Sequence, residues 1–292
     1  MVTENNIDLS IVIPTLGRSI QVDALLNSIT KMEKTGWSIE VIIVDQNNSK
    51  LLNEIVEKYN SLLFIRHINV DFKGLSKAKN FGANLANGTW ICFPDDDCEF
   101  FTNTLQKVNE LICKSQPDVL FGKCVDRDGL DSVKKFSKSE NFLNLNNFED
   151  SFIEATTFIR LVVFKQFTFD ENMGVGSFFG SEEGYDWIYR ILKSNKYIIL
   201  YSPSLLFYHP QVMLDKKELS SLKRVYNYRL GTAFLCVKHQ LYKKLISRVI
   251  LCLCISILFT VILKRDKAIY YFLEFLTLIA GSILAKKTLN EY

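Results

Sequence analysis

Proline and glycine are scarce, 5 and 13 in 292 residues, which argues against a disordered chain. The seven cysteines, Cys92, Cys98, Cys113, Cys124, Cys236, Cys252 and Cys254, form no C-x-x-C pair and no zinc-type spacing. They read as reduced thiols of a cytosolic compartment. The polar start, residues 1–10, contains no signal-peptide core. A net charge of +3 is too small to argue for a nucleic-acid partner. No G-x-G-x-x-G follows the first apolar run, and no G-x-x-x-x-G-K-[ST] occurs, so neither a Rossmann dinucleotide site nor a P-loop is supported.

Apolar residues, by contrast, are abundant. They make up 48% of the chain, with 22 Phe and 12 Tyr, enough for one large domain with a sizeable core and an appendage. Short apolar runs at 9–14, 40–44, 62–67 and 89–93 alternate with amphipathic stretches at 20–32, 50–59 and 75–85. Thr102 is placed to cap a further helix through Leu105, Val108 and Ile112. Strands alternating with helices predict an α/β fold built on a doubly wound, mostly parallel sheet. Beyond these, strands are expected at 118–125, 155–164 and 197–201, a polar mobile loop at 126–150, and a helix from about Tyr185.

In such sheets ligands bind beyond the carboxyl ends of the strands. Three polar clusters fall there: residues 15–18, residues 45–48, and the triplet Asp95, Asp96, Asp97. Three consecutive carboxylates repel one another at the mouth of a buried strand unless a cation compensates them. A hard divalent ion shared between carboxylates and a substrate phosphate answers that need, so the triplet points to a metal–diphosphate site. A solvated acidic turn is the plain structural alternative.

The C-terminal part differs in composition. Residues 246–263 and 268–285 are two apolar runs, each near the minimum of roughly 18 residues for crossing a bilayer, with Arg248 and Glu274 as their only charges. A buried hairpin and a membrane pair both fit. Apolarity on all faces and the basic flanks Lys243, Lys244, Lys286 and Lys287 favour the membrane. Glu274 should then face another helix or an interface rather than lipid. The preceding stretch, 219–245, is basic and aromatic and reads as an amphipathic helix on a membrane surface.

Four stretches together resemble the family 2 glycosyltransferases of GT-A type fold: IVIPTLGR (11–18), VIIVDQNN (41–48), GLSKAKNFGANLANGTWICFPDDDC (74–98) and FDENMGVGSFFGSEEGYDWIYRIL (169–192). The resemblance implies that Pro14, Thr15 and Arg18 border a nucleotide, that Asp45 meets its base or ribose, and that Lys79 and Asn80 lie near the donor. It implies that Asp95 and Asp97 bind Mn²⁺ or Mg²⁺ and that Asp96 touches ribose or, through water, the metal. His209 stands where some GT-A enzymes carry a third ligand; a backbone-bonded histidine at a strand end is the alternative. For the catalytic base it offers Glu183, then Glu182, then Asp186.

The implied organisation is a GT-A catalytic domain over 1–218, with its nucleotide-sugar half at about 1–100 and its acceptor half at 101–218. A linker helix (219–245) and an apolar hairpin (246–292) follow. The implied activity is inverting, metal-dependent transfer from a nucleotide-diphosphate sugar, with UDP the first choice, to a lipid-linked saccharide or polysaccharide precursor. The catalytic domain would face the cytoplasm at the inner membrane of a bacterium. The alternatives are a catalytically inactive membrane-attached scaffold that binds sugar nucleotides, and a sugar nucleotidyltransferase.

Overall fold

The computed structural model describes residues 7–211 and 219–291. The polar stretch 1–6 and the expected domain boundary at 218 lie outside the described residues. In chain order the elements are β1 (Leu9–Thr15), α1 (Ser19–Lys31), β2 (Ile39–Asp45), α2 (Asn53–Tyr59), β3 (Phe64–Asn69), α3 (Leu75–Leu85), β4 (Trp90–Cys92), β5 (Glu99–Phe100) and α4 (Thr104–Ser115). They continue with β6 (Val119–Val125), β7 (Asn141–Phe142), a 3₁₀ turn (Glu154–Thr156), β8 (Phe158–Arg160), α5 (Leu161–Phe164), α6 (Glu183–Ser194) and β9 (Ile199–Tyr208). Three long helices close the chain: α7 (Leu219–Lys238), α8 (Tyr242–Val261) and α9 (Arg265–Asn290).

The described residues form two compact units. One comprises residues 7–73, 77–168 and 187–211, the other 74–76, 169–186 and 219–291.

The first unit is built on a mixed sheet of order β3-β2-β1-β4-β8-β6-β9-β5, with β7 pairing β9. Strands β3, β2, β1 and β4 are mutually parallel, as expected from the alternating pattern. The second half is mixed: β8 runs antiparallel to β4 and β6, while β6 and β9 are parallel. Every residue of β1 is buried, as a strand flanked by neighbours on both edges and helices on its faces requires. Helix α1 buries Val22, Leu25, Leu26 and Ile29, the 3.6-period stripe. Helix α3 comes close because Gly82 has no side chain. A Cβ there would stand 2.4 Å from Val12 Cγ1 and 3.0 Å from Val44 Cγ2.

Several sequence expectations need correction in the second half. Residues 155–164 are not one strand but a 3₁₀ turn, a three-residue strand and a short helix. Thr102 is not a cap: α4 begins at Thr104, preceded by Asn103, and no side chain caps it. Strand β9 does not stop at 201 but runs through Pro203 to Tyr208. The missing N–H is tolerated because the β6–β9 register shifts between Phe121 and Lys123, a bulge-type irregularity. Gly122 sits at that irregularity, where a Cβ would be 2.2 Å from Leu205 O. Residues 126–150 are packed down through buried Phe136, Leu143 and Phe148 and through β7, rather than free.

The second unit is helical. Its core gathers Met173, Phe179, Leu230, Phe234, Leu278 and Ala285, with the Phe179 and Phe234 rings stacked at 4.0 Å. The helix expected over 219–245 ends at Lys238, and Gln240 turns the chain in the left-handed region (φ 58°). Helix α7 is also not a surface helix, since Leu230, Ala233, Phe234, Leu235 and Cys236 are buried. Gly281 of α9 makes this possible, because a Cβ on it would be 2.9 Å from Ala233 Cβ. Glu274 faces inward, as a charge on an apolar helix must. It accepts from Arg229 Nη2 at 2.9 Å and from the Cys252 thiol at 3.1 Å.

Candidate active site

The parallel register brings the three polar clusters together in the first unit. Thr15 ends β1 opposite Asp45, which ends β2. Strand β4 lies on the other side of β1 and delivers Asp95, Asp96 and Asp97. Pro14 is buried within β1, where its missing N–H suits a strand end. Thr15 Oγ1 donates to Asp96 Oδ2 at 2.8 Å. Arg18 donates to Asp96 Oδ1 at 2.9 Å and also to Asp97. The first strand and its loop thus hold two of the three carboxylates.

Lys79 is fully buried on α3. Its Nζ lies 4.0 Å from Asp95 Oδ1 and 3.9 Å from Glu154 Oε1. It lies between the two carboxylates, the kind of pairing that a buried lysine requires. Asn80, next on the same helix, is also buried. Glu154 was not foreseen; nothing in its own stretch FIEAT marks it, and only the 3₁₀ turn carries it to Lys79.

Asp45 is 1% exposed and its carboxylate is engaged. Oδ1 accepts from the Asn47 N–H at 2.9 Å and from Asn47 Nδ2 at 2.6 Å, and Oδ2 lies 2.9 Å from His67 Nε2. Asn47 Oδ1 in turn accepts from the Gly17 N–H at 2.7 Å. This network ties the loop after β1 to the end of β2. His67 and Asn47 escaped the sequence reading, although Asn47 lies within the polar cluster that was noted.

Burial pushes the Asp95 carboxyl above the usual carboxylate range against the pull of Lys79. It lifts Asp96 to about 6, against Arg18 and Thr15. Ionised, the cluster holds more carboxylates than its surroundings hold cations. Asp95, Asp96, Asp97 and Glu154 face the fixed cations Arg18 and Lys79, a deficit that one divalent ion would balance.

His209 supports the same reading. It ends β9, and its ring Nδ1 lies 2.6 Å from Pro210 O. A carbonyl can only accept, so Nδ1 donates to it, and Nε2 is the ring atom turned to the triplet. It lies 3.4 Å from Asp97 Oδ1. An imidazole nitrogen and a carboxylate oxygen at this spacing are suited to share a cation. Potential ligand atoms of Asp95, Asp97, Cys98 and His209 all lie within 4.8 Å of one another. Carboxylate, imidazole and thiol donors fit a divalent first-row metal.

The candidate base residues lie in the second unit and differ in their surroundings. Glu182 takes a left-handed backbone (φ 68°), and its Oε1 accepts from Thr232 Oγ1 at 2.9 Å. Asp186 is fully buried, with Oδ1 2.7 Å from Lys238 Nζ and 2.8 Å from His239 Nε2. Glu183 opens α6, where the positive end of the helix favours a carboxylate. Gly174 makes room for it. A Cβ on Gly174 would stand 3.1 Å from the Glu183 carboxyl carbon and 2.7 Å from Ser76 Oγ, at a φ of 99° that side chains resist. Downstream, Trp187 anchors the helix through Nε1 to Phe167 O at 2.6 Å, and Arg190 donates to Thr168 O at 2.6 Å.

Comparison with known proteins agrees with this architecture. Residues 10–169 match the family described as Glycosyl transferase family 2. An uncharacterized glycosyltransferase of Haemophilus influenzae is 34% identical over 113 residues, 39% of this chain and 37% of the relative. The poly(ribitol-phosphate) beta-N-acetylglucosaminyltransferase TarS of Staphylococcus aureus is 28% identical over 116 residues, 39% of this chain and 20% of TarS. The matches therefore span well under half the length of these curated relatives. A crystal structure of S. aureus TarS 1-349 in complex with UDP-GlcNAc superposes with a TM-score of 0.56 at 19% identity, covering 77% of this chain and 66% of that one. The mannosyltransferase PcManGT from Pyrobaculum calidifontis, in complex with GDP-Man and Mn²⁺, gives 0.53 at 13% identity, covering 96% and 75%.

Proposed function

The chain belongs to glycosyl transferase family 2, and from that premise we propose that it moves a sugar from a nucleoside diphosphate donor to an acceptor hydroxyl, inverting the anomeric carbon. The observation that carries this reading is the cation-deficient cluster of Asp95, Asp97 and His209 at the ends of β4 and β9. In the proposed site Asp45, Asn47 and His67 form the base and ribose end, bordered by Pro14, Thr15 and Arg18. Lys79 and Asn80 line the donor side, and Lys79 lies between Asp95 and Glu154. Asp95, Asp97 and His209 would hold Mn²⁺ or Mg²⁺, and such an ion, when bound, supplies charge neutralisation to a departing diphosphate.

Glu183 serves as general base: it takes the acceptor proton as the acceptor oxygen attacks and the bond to the diphosphate oxygen breaks. Glu182, which accepts from Thr232, and Asp186, which meets the Lys238–His239 pair, are positioning residues in this reading. UDP is the first nucleotide to test, since TarS, a relative, is a protein crystallised with UDP-GlcNAc. Incubating the protein with UDP-, GDP- and dTDP-sugars in the presence of Mn²⁺ should release nucleoside diphosphate from one of the three. Silence from all three overturns the reading.

Two helices, Tyr242–Val261 and Arg265–Asn290, are long and apolar enough to cross a membrane. We place them at the cytoplasmic face of the inner membrane, where a lipid-linked saccharide would be presented. Insertion from one side fits better than two full crossings. One face of α9 is covered by α7 through Leu230 and Ala233, and α7 carries Arg224, Arg229 and Lys238, which hydrocarbon would reject. The outer faces are apolar and open: Ile246, Ile250, Ile257 and Val261 on α8, Phe272 and Ile283 on α9. The protein should float with anionic vesicles, resist high salt and come off in detergent. Ile250→Lys with Ile257→Lys should abolish flotation; retention of the wild type in the soluble fraction would refute the placement.

A further inference from the structure

The cysteines show no metal spacing along the chain, yet the fold carries one of them into the proposed metal site. Glu99 pairs with Tyr208 and Phe100 with Phe207 across the antiparallel β5–β9 ladder. One step further along the same ladder sets Cys98 opposite His209, so the two side chains share a face. A turn that closes with the Cys98 N–H donating to Asp95 O at 2.9 Å folds the thiol back over the triplet. Cys98 is fully buried, and its sulfur lies among the ligand atoms of Asp95, Asp97 and His209. Cys124 of β6 is its neighbour.

We propose that Cys98 Sγ is a fourth protein ligand, which makes this a mixed carboxylate–imidazole–thiolate site rather than an all-oxygen one. The inference rests on the metal reading given above and sharpens it. As the metal–sulfur bond forms, the thiol releases its proton to solvent. Thiolate and imidazole favour later first-row ions, whereas Mg²⁺ prefers oxygen and retains its waters. The site therefore favours Co²⁺ or Zn²⁺ over Mg²⁺, and the thiol, not the aspartates, makes the difference.

Cobalt separates the two claims, because its visible d–d bands report binding while a near-ultraviolet charge-transfer band reports a sulfur ligand. Reduced wild-type protein titrated anaerobically with Co²⁺ should show both. Cys98→Ser should keep the visible bands and lose the charge-transfer band. Cys124→Ser should keep both, and circular dichroism checks the fold of each variant. Visible bands without charge transfer in the wild type would overturn the thiolate ligand and leave the metal site standing. No cobalt spectrum at all would overturn the metal reading, and this inference with it.

Discussion

Asp97→Ala should lower transfer by about 10²–10³-fold, the range seen when one electrostatic stabiliser of a developing charge is removed. The carboxylate has two neighbours of different kinds. Arg18 reaches it from the loop after β1, and His209 Nε2 faces it at 3.4 Å from the end of β9. Removing it leaves Arg18 with Asp96 at 2.9 Å, so the loop keeps an anchor and the variant should fold. The loss should therefore fall on metal affinity and rate together, with little change in Tm. Steady-state kinetics at saturating Mn²⁺, beside a thermal melt, checks this. Full activity in Asp97→Ala would remove this residue from the site.

Glu183→Gln should lower kcat by about 10²–10⁴-fold, the usual contribution of a positioned general base, while donor binding stays unchanged. The amide keeps the shape at the start of α6 and removes the capacity to take a proton. Two neighbouring variants show whether the effect is specific. Glu182→Gln retains an oxygen that can accept from Thr232, so its effect should be small. Asp186→Asn uncouples a fully buried carboxylate from Lys238 and His239 and should cost stability, roughly 3–5 kcal/mol for breaking a buried ion pair. A kcat loss in Glu183→Gln without a Tm loss, and the reverse pattern in Asp186→Asn, is the expected result. Equal kcat losses in Glu182→Gln and Glu183→Gln would contradict the assignment of the base.

The half of the site built on parallel strands was legible in the sequence because each strand there is a short apolar run that breaks into polar residues at its carboxyl end. Asp45, Thr15 and Asp95 could be placed at strand ends from that pattern alone, and α3 was bounded at residues 75 and 85 as observed. What escaped was everything set by long-range pairing. Glu154 meets Lys79 through a turn with no local signature. Cys98 meets His209 because of the register of a two-residue strand. The length of β9 depends on a register irregularity that admits Pro203, which in isolation reads as a strand end. Helix α7 looked amphipathic and surface-bound from its charges, yet Gly281 and Ala233 let α9 cover its apolar face. Glu274, by contrast, was placed correctly by energy alone: a carboxylate on an apolar helix has to find a partner, and Arg229 is there.

The most direct test of the account is metal dependence of nucleoside diphosphate release from the donor sugar that the wild-type protein accepts. Release with Mn²⁺, its loss on chelation by EDTA, and its return when Mn²⁺ is restored are the predicted results. Release that continues undiminished in EDTA would contradict the claim that Asp95, Asp97 and His209 hold a metal for the leaving diphosphate.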